Sequence, residues 1–137
     1  MSNFLKKQNS NPILNPLISL SDNHKESIVS LFIILAGSDQ HLTGGITKKE
    51  FAFLDKHAEI FNLKNEFTIL EKSGIDGILK YLNDLNLAQR ESLIILTWNL
   101  LESDEEPNDV EILDMNKILD KMGISTQQIV QTLRQKN

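Results

Sequence analysis

Two stretches of this chain carry side chains that could do chemistry, and each holds spaced carboxylates. The first is "SDQHLTGGITKKE", residues 38–50. From Asp39 to Glu50 it spans twelve positions, with Gly44 sixth, Ile46 eighth and Glu50 twelfth. That is the spacing of an EF-hand calcium loop, in which the glycine makes the sharp turn and the last glutamate clasps the ion. His41 and Thr43 stand at the third and fifth positions, where such a loop takes Asp or Asn. Calcium wants roughly six to eight oxygen donors. Asp39, Thr43, the Gly45 carbonyl, Thr47 and Glu50 are what this loop offers. Only two of them are carboxylates, so a calcium loop of this type is a degenerate reading. The second stretch, "ESDEEPNDVE" over 102–111, concentrates Glu102, Asp104, Glu105, Glu106, Asp109 and Glu111, without the twelve-residue register.

The two stretches occupy corresponding places in an internal repeat. "ESIVSLFIILAGSD" (26–39) lies over "ESLIILTWNLLESD" (91–104) at a constant offset of 65. Past the loop the offset becomes 61, and Glu50 meets Glu111, Leu54 meets Met115, Phe61 meets Met122 and Leu63 meets Ile124. Each half therefore reads as an apolar helix, a Ser-Asp pair, a loop, and a helix with Glu in its first turn. If the halves fold with their loops side by side, Asp39, Glu50, Asp104 and Glu111 converge. Glu105, Glu106 and Asp109 then add to the field. Carboxylates repel one another by ~1 kcal/mol per pair at about 4 Å even in water. A divalent cation would relieve that repulsion. Carboxylates are also favoured at helix starts for reasons of capping and dipole alone, at roughly 0.3–1 kcal/mol each.

The elements that must hold these loops are helices. No stretch alternates with period two, and glycine and proline are scarce, at six and three. The pattern predicts a buried helix over 22–38, capped by Ser21. A second helix follows from Thr47, with a Thr47/Glu50 capping box and an inner stripe of Phe51, Leu54, Ala58 and Phe61. A short third helix covers 64–72, and a break at Ser73–Gly74 separates it from a fourth over 75–85. Asn86 caps a fifth, buried helix over 87–103. Asn108 and Glu111 open a sixth that Gly123 ends, and Ser125 and Gln128 open a last one running to Lys136. The expected fold is all-α, a single compact bundle of about seven helices with an internal two-fold pseudo-repeat over 21–137. Residues 1–20, broken by Asn11–Pro12 and Asn15–Pro16, read as an arm lying on that domain.

Composition excludes several functions. There is no cysteine, so disulfides and thiolate chemistry are absent. A cytoplasmic, reducing setting is the expectation. Net charge is −5, and no basic run exceeds two lysines. Nucleic acid and anionic membrane surfaces are not expected as partners, nor is membrane insertion. His24, His41 and His57 lie on separate segments without zinc-ligand spacing. His57 reads as a surface or boundary residue, Trp98 as core or rim packing, and Met115 and Met122 as core filler. No catalytic triad order and no glycine-rich phosphate loop is present, so no enzyme activity is expected.

At its two loops the sequence resembles the tellurite-resistance TerB-like family. "LLESDEEPNDVE" places Asp104 seven residues before Glu111, and "LDKMGIS" closes the helix that follows. "LAGSD" with "GGITKKE", closed by "IFNL", is the matching set in the first half. The resemblance covers about 20–137. It implies an all-α bundle with two-fold pseudo-symmetry, a role in stress resistance, and no catalysis. It further implies a divalent cation, calcium or magnesium ahead of zinc, held at Asp39, Glu50, Asp104 and Glu111, and docking of a partner protein. The alternatives are a metal-free structural or interaction module, and the degenerate EF-hand-like calcium binder.

Overall fold

A computed structural model describes residues 12–37, 48–63, 67–103, 107 and 109–136. Within them the chain forms seven helices and no strand: α1 (Asn15–Ile18), α2 (Asp22–Ala36), α3 (Lys48–Ile60), α4 (Thr68–Leu82), α5 (Leu87–Glu102), α6 (Asp109–Lys121) and α7 (Thr126–Lys136). The all-α bundle expected from periodicity is what is observed.

The two apolar helices, α2 and α5, pack against each other at the centre. α4 lies on α2 as α7 lies on α5, and α6 reaches α2 as α3 reaches α5. Each central helix starts the same way. Ser21, in extended backbone, accepts a hydrogen bond from the His24 amide; Asn86, also extended, accepts one from the Gln89 amide at 2.9 Å. The Gln89 side chain returns a bond to the Asn86 amide, so this start is a full capping box.

Burial repeats with the sequence offsets. α2 buries Ser27, Ile28, Val29, Ser30, Leu31, Phe32, Leu35 and Ala36; adding 65 gives residues that are all buried on α5 except Ile95, the counterpart of Ser30, which is half-buried. α3 buries Glu50, Leu54, His57 and Ala58; adding 61 gives Glu111, Met115, Ile118 and Leu119, the buried set of α6. The two helices also end alike. Asn62 (φ +57°) and Gly123 (φ +77°) turn the chain in the left-handed region. In each case the next residue's amide bonds back across the turn, Leu63 to the Ala58 carbonyl and Ile124 to that of Leu119, which is the Schellman arrangement.

Two expectations need correction. Phe51 does not join the inner stripe of α3: it is 53 % exposed, and Glu50 and His57 face inward instead. The helix is rolled so that its first-turn carboxylate, not its first aromatic, points at the core. His57 is not a surface or boundary residue but 3 % exposed. The break expected at Ser73–Gly74 is present: Gly74 (φ +62°, ψ −156°) leaves helical backbone and kinks α4 there, a conformation open to glycine and costly for other residues. Within the described part of residues 1–20 the chain forms α1, which packs on α5 and buries Leu17 fully in the core. Four residues are too few for helical periodicity to show in a sequence.

Candidate functional site

The loops of interest join the same pair of ends in each half: the C-terminus of a buried helix to the N-terminus of the next. α2 closes at Gly37, whose amide bonds to the Ile33 carbonyl at 3.1 Å. α5 closes at Ser103, whose hydroxyl and amide both bond to the Leu100 carbonyl. α3 and α6 then open with their glutamates in the first turn, where the positive end of the helix dipole favours a carboxylate.

Glu50 is 4 % exposed and Glu111 7 %. Glutamate is rarely buried to this degree unless its carboxylate is engaged, because removing a charge from water is costly. Neither residue is without an interaction partner. Thr47 and Asn108, expected to share capping boxes with them, lie outside the described residues. So do Asp39, Asp104, Glu105 and Glu106, and with them His41, Thr43 and the rest of the EF-hand-like loop up to Thr47. Asp109, the first helical residue of α6, is exposed. The structure thus locates Glu50 and Glu111 at matched, buried positions beside the two loops. Among the described residues, no three His, Cys, Asp or Glu side chains form a group able to hold a metal ion. Two carboxylates are hard oxygen donors suited to calcium or magnesium, but a closed site for either needs more oxygens than two side chains supply.

His57 is the functional-group surprise. Its Nδ1 lies 2.8 Å from the Phe53 carbonyl oxygen, to which the ring donates. The ring stacks on Phe53 (centroids 4.2 Å apart) and meets Phe32 edge-on. Burial holds the imidazole below its ordinary value of 6.5; the hydrogen bond to Phe53 opposes this and the Lys56 charge adds to it. No sequence spacing marked this residue. The available signal was its position on α3, three residues past Leu54 and four before Phe61.

The other histidine in the described residues is structural. His24 bonds to the Ser21 hydroxyl and to Asp84 (3.2 Å), and lies edge-on to Tyr81. Trp98 is half-buried against the core, and Met115 and Met122 are within it, as their positions on apolar faces suggested. A trough of about 500 Å³ between α2 and α6 is lined by Ile34, Asp114, Lys117, Ile118, Asp120 and Lys121. Its two carboxylates and two ammonium groups balance, so it offers no net charge to select a ligand. Among the described residues no helix is long and apolar enough to cross a membrane. Comparison of the chain with protein-family models, curated proteins and solved structures returns no match.

Proposed function

We propose that this chain is a non-enzymatic helical module of the TerB-like kind, which holds a divalent cation and docks a partner protein at its two acidic loops. The observation that supports this reading is the equivalence of Glu50 and Glu111. Both are first-turn residues, both are buried, and they fall at one register of two helices with the same buried set. A solvated helix start needs no buried carboxylate. Two of them, each beside an acidic loop, are what a pair of half-sites would require. The cation would be a hard one, calcium or magnesium, because the donors are oxygens. On this reading the chain serves stress resistance by presenting the filled loops to its partner.

Isothermal calorimetry tests the proposal. Calcium or magnesium gives a saturable heat with the wild-type chain, and E50Q combined with E111Q removes it. No heat with calcium, magnesium, manganese or zinc would overturn the proposal.

A second reading is a metal-free interaction module in which each glutamate simply completes a helix start. It is supported by the Ser21 and Asn86 caps, which show the fold solving helix starts with side chains of its own. The two readings separate on melting temperature. A ligand at a hundred times its Kd stabilises the folded chain by ~2.7 kcal/mol, whereas the second reading leaves the melting point unchanged.

A further inference from the structure

The halves differ in how they fill the space between their first two helices. In the first half a hollow of about 170 Å³, almost wholly apolar, remains among Ile33 of α2, Phe51, Leu54, Asp55 and Ala58 of α3, and Phe67. At the matched positions of the second half, Trp98 stands for Ile33 and Leu119 for Ala58. Trp98 packs against the core and Leu119 is fully buried. The second half therefore carries, at these two positions, bulk that the first half lacks. Phe51 stands at the rim of the hollow, more than half exposed. A single exposed phenylalanine is unremarkable, but here a knob sits beside a hole on one face.

We propose that this face is an interface between two copies of the chain, with α3 of each laid antiparallel on α3 of the other across a two-fold axis. A two-fold contact must be self-complementary, so one patch has to supply both knob and hole, and both signs of charge. The outer face of α3 carries Lys48 at one end and Asp55 and Glu59 toward the other, with Ala52 between them, all exposed. Setting Lys48 of one copy opposite Glu59 of the second places each Phe51 against the other's Asp55–Lys56 turn, next to the Ala58 hollow. That register pairs Lys48 with Glu59 at both ends, while the two Asp55 side chains approach each other across the axis and weaken the contact. Ala52 allows the two helices to approach. A single helix pair is small against the roughly 1,600 Å² of a standard interface, so the dimer is weak and concentration-dependent.

Sedimentation equilibrium of the full chain tests this. From micromolar to millimolar concentration, the weight-average mass is expected to climb from 15.6 kDa toward double that value. A58L fills the hollow with the residue used at the matched position of the other half. It abolishes the climb while the circular dichroism spectrum stays that of wild type. Should A58L disturb that spectrum, F51S on the exposed rim makes the same test. K48E and E59K each weaken association several-fold, and the K48E/E59K swap restores it. A monomer at every concentration would overturn the proposal. So would a dimer indifferent to the hollow-filling, rim and charge variants, because it would use another face.

Discussion

At position 57 the first half turns a histidine into the core, and at the matched position 118 the second half has isoleucine. Ala58 likewise faces Leu119 across the repeat, and Ile33 faces Trp98. The backbone frame is common: the capped starts of α2 and α5, the shared buried positions, and the paired Schellman ends at Asn62 and Gly123. What fills that frame has diverged. A register set by caps and turns constrains which positions are buried, and it constrains the chemistry there only as far as volume and polarity demand. Glu50 and Glu111 stand out against this background, because they are an ionisable residue kept at a buried position in both halves.

The comparison can be broken most forcefully at the centre. Leu35 and Leu100 are matched and fully buried. L35A and L100A should each cost about 2–5 kcal/mol. Urea unfolding should give losses of similar size if the two sites sit in equivalent packing; a gap of several kcal/mol between them would show that only the pattern repeats.

The His57/Ile118 difference gives the next effect. Because burial lowers the folded-state value of His57, the unfolded chain takes up the proton first as pH falls. Stability is therefore unaffected well above pH 6.5 and declines as pH drops below that value. It levels off once the folded-state value is passed, and the slope is at most ~1.4 kcal/mol per pH unit. H57L should remove this part of the acid sensitivity, measured as the melting temperature between neutral and mildly acid pH. An unchanged slope would mean that the first half tolerates a charged imidazole.

Caps and turns sharpen the likeness at smaller scale. S21A and N86A should each destabilise by about 1 kcal/mol. G123A should cost about 1 kcal/mol for its left-handed backbone. Space does not add to this, since a Cβ there would meet only the Arg90 side chain at 3.9 Å. N62G, at the corresponding turn, should stabilise by a few tenths of a kcal/mol, because glycine adopts positive φ without strain.

Much of the frame was legible in the sequence because its signals are local. Ser21, Asn86 and Gly123 mark helix ends by their own chemistry, and the apolar runs of α2 and α5 leave no alternative to burial. The errors fell where an apolar count misleads. Phe51 counts toward an inner stripe and Glu50 against it, yet α3 is rolled the other way. Which first-turn residue turns inward is not encoded in hydropathy. His57 is balanced between polar and apolar, and only the Phe32 and Phe53 rings around it decide its burial. The break at Ser73–Gly74 was legible because it rests on local backbone chemistry, a positive φ that glycine adopts without strain. Of the four proposed ligands, Glu50 and Glu111 lie within the described residues, and the repeat that matches their positions was visible as a change of offset from 65 to 61.

Whether the two acidic loops act as one site is tested most directly by titrating manganese into isotopically labelled chain and following the loss of amide signals. A single ion held between the halves should broaden the amides at 48–51 and at 109–112 together, at one stoichiometry, with magnesium reversing both. Broadening confined to one set, or to neither, would contradict the account.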